Sequence, residues 1–216
     1  LLAPEHDLWT TLVFVNGRYA PALSGGPPAG KARVASLADA AQGDGAIAEQ
    51  PLARYASPEN DGFAALNTAF LRDGALVHVP AGQTQALPIH LLFVVTGEGE
   101  PTVTYPRTLI VAEPESSLIV LESYVSLSGG PAFTNAVTEV VAMEGSRLRL
   151  YVLQREGPAA FHLASTHASV MGNATLASAT FDIGGGFVRR DLNVRLDEPG
   201  AKATLHGLFH GCGNRH

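Results

Sequence analysis

The sequence predicts a mainly β fold, a solenoid in which strands and turns recur along the chain. Its 23 glycines and 14 prolines indicate many turns, and no long helical pattern follows Gly74. With 46% hydrophobic and 16% charged residues, the chain can fill a core, unlike a disordered sequence. A third observation, a repeat of about 29 residues, favours a solenoid over other β folds.

Residues 1–73 are predicted to form a small N-terminal region of mixed helix and loop structure. The stretch "TLVFVNGRYAP" predicts a hairpin, because Asn-Gly readily adopts the positive φ angles of a tight turn. A short helix is predicted within residues 58–71, where apolar residues recur at helical spacing: Phe63, Leu66, Phe70 and Leu71. This helix should end at Asp73-Gly74.

Residues 74–216 are predicted to form the β-helix core. Four stretches place turn-forming residues before a leucine that opens an apolar strand: "EPESSLIVLES", "MEGSRLRLYVL", "MGNATLASATF" and "EPGAKATLHGLF". The leucines follow one another at 30, 28 and 29 residues: Leu118, Leu148, Leu176 and Leu205. Ile89 lies one further step back. The period indicates stacked units whose leucines share one inner face. A β-sandwich with accidental spacing is the alternative.

Three acidic residues suggest a different function, that of a β-helical carbohydrate-active enzyme. Glu113, Glu115 and Glu122 lie close together in the sequence, and paired carboxylates can hydrolyse glycosides. We expect these acids at solvated coil corners, and the few aromatic residues offer little surface for sugar stacking. We therefore assign them no catalytic role.

The stretch from residue 162 to residue 186 contains two histidines, several hydroxyls and three glycines. His162 and His167 are five residues apart, so a regular strand places them on opposite faces, as ordinary surface or turn residues. Ser165, Thr166 and Ser169 lie nearby, but nothing in the sequence marks one of them as an activated nucleophile. Gly184–Gly186 lacks the Lys-Ser/Thr ending of a phosphate loop and predicts a tight corner between coils.

The last stretch, "LHGLFHGCGNRH", has the densest set of metal-ligand residue types. An unbroken strand would present four of them on one face: His206, His210, Cys212 and His216. The interspersed glycines should bend the strand, and the intervals match no standard zinc pattern. We expect no metal site here and a free thiol at Cys212, and a chemical role for these residues stays open.

Charge and hydropathy disfavour nucleic acids and membranes as partners. The net charge is −6, and no Lys/Arg-rich run is present. The longest apolar stretches fall short of the roughly 20 residues that span a bilayer. A single cysteine indicates a reducing compartment, the cytoplasm. Since the chain starts without methionine, both ends are expected to be cut, and a removed signal peptide stays an alternative.

Several stretches together resemble the SufB/SufD family of iron–sulfur cluster assembly proteins: "ALNTAFLRDGALVHVPAG", "PIHLLFVV", "PRTLIVAEPESSLIVLESY", "FHLASTHASV" and "RRDLNVRLDEPGAKATLHGLF". The resemblance runs from about Leu12 to His216. It implies a right-handed parallel β-helix after a partly helical N-terminal region. It also implies a cytosolic scaffold subunit, not an enzyme, that pairs with SufB and the ATPase SufC.

The resemblance assigns no catalytic, cofactor-binding or metal residue to this chain. His216 matches the histidine that begins the family's "QH-x-D" stretch, with Arg215 where glutamine is usual. The family's SufC-binding surface and its cluster histidine follow that point, so the core is expected to be truncated at its C-terminal end. An iron–sulfur cluster or a flavin would then belong only to the full complex. A homodimer and a purely structural interaction module stay open as alternatives.

Overall fold

The computed structural model describes residues 8–27, 30–42, 56, 61–97, 100–211 and 213. A 3₁₀ turn covers Pro21–Leu23, and two short helices are α1 (Leu37–Gln42) and α2 (Gly62–Phe70). The strands within the described residues are β1 (Thr10–Val15), β2 (Arg18–Tyr19), β3 (Arg33–Ser36), β4 (Gly74–Val79), β5 (Ile89–Val95), β6 (Thr102–Thr104), β7 (Arg107–Ala112), β8 (Ser117–Ser126), β9 (Ala132–Ala142), β10 (Arg147–Arg155), β11 (Ala160–Val170), β12 (Thr175–Asp182), β13 (Phe187–Leu196) and β14 (Lys202–Phe209).

Successive strands of the core alternate between two sheets, so each pair of strands makes one coil of a solenoid. The first sheet has the order β14-β12-β10-β8-β5-β1-β2, and the second has β13-β11-β9-β7-β4-β3, with β6 beside β9. Neighbours are parallel except in the pairs β1–β2 and β3–β4. About five coils are present, which confirms the mainly β solenoid and excludes the sandwich with accidental spacing.

A turn with one left-handed residue precedes the first-sheet strand of each coil. The residues with positive φ in these turns are Gly82, Glu115, Gly145, Asn173 and Gly200. Glu115 donates its N–H to the carbonyl of Glu144 in the next coil at 2.9 Å, and Asn173 donates to Pro199 at 3.1 Å. Because glycine and asparagine adopt this conformation most readily, the turns leave the small-residue signature that made the repeat visible.

The predicted stacking of leucines is confirmed for three of the four positions. Leu148 pairs in register with Leu118 on one side and with Leu176 on the other, and each is 1% exposed. These three residues are called the leucine ladder below.

The prediction for Leu205 is wrong. Leu176 pairs with Ala203, and Leu205 lies opposite Ser178 with 45% of its surface exposed. Ile89 is offset from the leucine ladder in the same way, because it pairs with Val120 and not with Leu118. Both displacements are two residues, so each side chain keeps its inward direction while its partner changes. Leu205 is exposed because β14 has a neighbouring strand on one side only.

The N-terminal elements attach to both sheets. The predicted hairpin is present, with Asn16 and Gly17 at φ 48° and 76°, and its strand β1 runs parallel to β5. The predicted helix is α2, whose N-terminus is capped by the Asp61 carboxylate through the Phe63 N–H. The domain boundary after residue 73 stays a prediction.

Both helices cover the outer face of the second sheet. Leu37 of α1 packs with Leu76 and Leu109, and Ala64 of α2 packs with Val137. Across the described ranges, neither helix nor any other is long and apolar enough to cross a bilayer.

Candidate functional site

Polar side chains replace the apolar core at one end of the coils that begin with β8, β10 and β12. Along one in-register row of the first sheet, the inward residue changes from aromatic to polar: Phe14, Phe93, Tyr124, Gln154 and Asp182. The aromatic rings stack at 5.0 and 4.9 Å between centroids. The polar members meet residues from the start of the second-sheet strands. We call the group the interior polar cluster: Glu122, Tyr124, Gln154, Glu156, His162, Asp182 and Arg190, with Thr134 and Thr138.

A hydrogen-bonded pair of Glu156 and His162 forms the centre of the cluster. His162 Nδ1 lies 2.7 Å from Glu156 Oε2, and both side chains are almost fully buried. Thr134 donates to Glu156 Oε1 at 2.5 Å, and Gln154 Nε2 donates to Oε2 at 3.2 Å. The His162 ring also makes an edge contact with Tyr124, at 4.9 Å between centroids.

Burial and hydrogen bonding act in opposite directions on the Glu156 carboxyl. Burial raises its pKa, but hydrogen bonds from His162, Thr134 and Gln154, with the charge of His162, outweigh that effect. The net pKa of Glu156 is therefore lowered, and the carboxylate is ionised at neutral pH.

Glu122 occupies the neighbouring coil and makes no direct ion pair with any other described residue. Its carboxylate accepts from Thr138 at 3.0 and 3.2 Å and from the Tyr124 hydroxyl at 3.1 Å. Burial raises the pKa of Glu122, and the hydrogen bonds offset this only in part. Burial and the Glu122 charge also raise the pKa of Tyr124, so this hydroxyl keeps its proton and donates.

Arg190 and Asp182 close the cluster on the side of the last coil. The guanidinium binds both carboxylate oxygens, with Nε at 3.1 Å and Nη2 at 2.7 Å. The same Nη2 lies 3.5 Å from His162 Nε2. In a neutral imidazole this places the proton on Nδ1, facing Glu156, because a guanidinium can only donate.

The cluster is enclosed by the coils. The cavity that touches Tyr124, Thr134 and Glu156 measures about 10 Å³, which is at most the room of one water molecule. These groups can hold and exchange protons among themselves, but this cavity has no room for a substrate.

The expectation that all three glutamates sit at solvated corners is wrong for Glu122. Glu122 is 1% exposed and lies inside the solenoid, because it shares the inward face with Leu118 and Val120. Glu113 and Glu115 do lie in the turn before β8, where a hydrogen bond from His78 lowers the pKa of Glu113. At least five strand residues, about 15 Å, separate that turn from Glu122, which is too far for a glycosidase pair.

The two histidines point to opposite faces as predicted, but the surface interpretation is wrong. His162 is fully buried inside the solenoid, and the His167 side chain is 11% exposed on the outside, 3.9 Å from Asp61. Two residues after His167, Ser169 donates a hydrogen bond to Asp197. The signal that could have located His162 is its shared parity with Ala164, Ala168 and Val170, which face the core from the same strand.

A second buried polar group, which sequence reasoning missed, fixes α2 to the second sheet. Arg107 binds Glu139 through Nη2 at 2.5 Å and Nε at 3.1 Å, and both side chains are buried. Asn67 of α2 accepts from Arg107 at 3.2 Å and donates to the carbonyls of Pro106 and Asn135. These contacts are internal and structural.

Gly184–Gly186 forms the predicted corner, between β12 and β13. A Cβ on Gly184 would lie 2.5 Å from the Glu156 carbonyl oxygen, so a side chain is excluded by close backbone approach.

The structure places only part of the C-terminal histidine and cysteine set. His206 and His210 are exposed, on β14 and just after it, while Cys212 and His216 lie outside the described residues. Where the chain is described, no three His, Cys, Asp or Glu side chains are arranged to hold a metal ion. The free thiol at Cys212 stays a prediction.

The fold agrees with comparisons to known protein families. The model of the SUF system FeS cluster assembly SufBD core domain matches residues 93–216, more than half of the chain. The model of the SufBD protein N-terminal region matches residues 6–91. The chain therefore belongs to the SufBD family of iron–sulfur cluster assembly proteins.

Individual relatives agree with this family. An iron-sulfur cluster assembly SufBD family protein of Synechocystis sp. is 29% identical over 91% of this chain and 45% of its own length. The iron-sulfur cluster assembly protein SufD of Escherichia coli is 30% identical over 91% of this chain and 44% of its own length. SufB of Bacillus subtilis is 27% identical over 61% of the chain. The chain spans less than half the length of these relatives.

Proposed function

We propose that this chain belongs to a scaffold subunit of the iron–sulfur assembly machinery, in the role of SufD. The observation that carries the proposal is the pair of consecutive family matches, over residues 6–91 and 93–216. The 30% identity to the Escherichia coli SufD supports the SufD role over the SufB role, since the match to SufB covers less of the chain.

A scaffold role, in preference to an enzymatic one, agrees with the chemistry of the interior. The ionisable residues are packed against one another, and the cavity beside them holds at most one water molecule. A hydrolase acting on carbohydrate would need an open cleft with two carboxylates on its walls. The proposed working partners are SufB and the ATPase SufC, and the proposed location is the cytoplasm.

Co-expression of the full-length protein with SufB and SufC of the same organism tests the partners. The expected result is one stable complex of all three proteins in size-exclusion chromatography. A full-length protein that folds but elutes apart from both partners would contradict the proposal. Replacing SufC by an unrelated ATPase of similar size serves as the control for nonspecific association.

A deletion strain separates the scaffold from a purely structural interaction module. We expect the full-length gene to restore activity of iron–sulfur enzymes in a strain that lacks its own copy. A complex that forms without restoring these activities would favour the interaction module.

A further inference from the structure

In the strands that the structure describes, the outer face of the first sheet carries cations and no carboxylate. Outward-pointing side chains belong to the odd-numbered residues of β8, β10 and β12 and to the even-numbered residues of β14. The ionisable residues in this outward set are Arg147, Arg149, Tyr151, Arg155, Lys202 and His206, with no Asp or Glu among them. We call this surface the basic face. It stands out because the whole chain has a net charge of −6.

The cations lie among hydroxyl groups in one corner of the basic face. Arg147 lies in register between Ser117 and Thr175, and Lys202 lies beside Thr175. Because neighbouring strands are about 4.8 Å apart, the Arg147 and Lys202 backbones are separated by about 10 Å. Arg149 follows two residues along the same strand, about 7 Å away. A groove of about 460 Å³ runs past Arg147 and Arg149.

The two arginines have no internal acidic partner in the described part of the chain. Arg189 and Arg195, on the outer face of the second sheet, bind Asp191 at 3.0 Å and Asp197 at 2.9 Å. Arg147 and Arg149 are also exposed strand residues, yet no ion pair joins either one to a described carboxylate. Their charges therefore remain open to an external anion, and a guanidinium binds carboxylates in a bidentate fashion.

Apolar and aromatic side chains continue the basic face beyond the arginines. Tyr151 and Phe181 are 38% and 39% exposed, and they lie beside Leu153 and Ala179. Arginine and aromatic residues are enriched in protein–protein interfaces and carry much of their binding energy. The face thus offers ionic contacts at one end and apolar contacts at the other.

We propose that the basic face docks an acidic segment of a protein partner. Carboxylates of that segment would bind Arg147, Arg149 and Lys202, and its apolar residues would pack on Tyr151 and Phe181. A polypeptide suits this surface better than a nucleic acid for two reasons. The chain as a whole is acidic, and a phosphate backbone would make no apolar contact with Tyr151 and Phe181. This docking function goes beyond the scaffold role and does not depend on it.

Fluorescence anisotropy with a labelled oligoglutamate peptide tests the proposal on the full-length protein. The double substitution Arg147→Gln/Arg149→Gln should weaken binding about tenfold or more, and added salt should weaken the wild type. The matched control is Arg189→Gln/Arg195→Gln, which also removes two exposed strand arginines and should change affinity by less than about twofold.

Two results would overturn the proposal. One is an equal loss of affinity in both double variants at unchanged melting temperature, which would mean nonspecific attraction. The other is tighter binding of single-stranded DNA or phosphatidylserine vesicles that depends on Arg147 and Arg149. A folding defect would be recognised by circular dichroism, and the single substitution Arg149→Gln then replaces the double variant. It should weaken peptide binding several-fold, and an affinity equal to that of the wild type would overturn the proposal.

Discussion

The leucine ladder and the interior polar cluster fill opposite ends of the same coils but are stabilised by different forces. Leu118, Leu148 and Leu176 repeat one apolar contact from coil to coil, and each rung contributes through its own buried area. In the polar cluster each residue depends on particular partners, as Glu156 does on His162. The comparison shows that a repeat can extend by simple stacking at one end, whereas the other end is stable only when its hydrogen bonds are complete.

The largest expected effect is the removal of the central carboxylate. Glu156→Ala leaves the imidazole of His162 and the hydroxyl of Thr134 buried without their acceptor. Leaving these two buried groups without their acceptor should lower the free energy of unfolding by about 3–5 kcal/mol, measured by urea denaturation. Glu100→Ala, at an exposed position, is the control and should cost less than about 0.5 kcal/mol. Equal costs in the two variants would show that the polar cluster does not stabilise the fold.

A similar loss of stability is expected from a substitution at the apolar end of the coils. Leu148→Ala removes the middle rung of the leucine ladder, where the side chain is 1% exposed between Leu118 and Leu176. The expected cost is about 2–5 kcal/mol, from lost burial and the cavity that remains. A cost under about 0.5 kcal/mol would contradict the stacked register.

A smaller, pH-dependent effect is expected at Glu122, whose pKa is raised in the folded protein. The unfolded chain therefore releases this proton more readily, so stability falls as the pH rises from about 4.5 through the raised pKa. Glu122→Gln keeps hydrogen bonds to Thr138 but removes the titration. The melting temperature of the variant should exceed that of the wild type increasingly above pH 4.5 and match it below. A difference independent of pH would refute the assignment. The groups that face this carboxyl are Thr108, Tyr124, Thr138 and Arg190.

The smallest effect is expected at Leu205, which the repeat alone would equate with Leu148. Since Leu205 is 45% exposed opposite Ser178, Leu205→Ala should cost less than about 1 kcal/mol. A cost equal to that of Leu148→Ala would restore the sequence-based register and contradict the observed pairing.

The sequence alone determined the solenoid and much of its periodic core. The turns depend on residues that are close together in the chain, such as Asn16-Gly17 and Asn173, and their left-handed backbone leaves a local composition signal. The leucine ladder follows because each turn of similar length returns the next strand to nearly the same register. The tight corner at Gly184–Gly186 is local in the same sense.

The tertiary structure alone decided the polar cluster, the docking of α2 and the register of the last strand. Glu122, Glu156, His162 and Arg190 come from different turns and strands, and no local pattern states that their side chains meet. Arg107 and Glu139 likewise belong to neighbouring strands under a helix that precedes both in the chain. The residue opposite Leu176 is Ala203 and not Leu205, because this coil advances the register by 27 residues and not by the 29 that separate the two leucines. The two-residue offset changes the partner without changing the face. Spacing along the chain indicates which face of the sheet a residue occupies. Its partner on the neighbouring strand depends on the length of each coil.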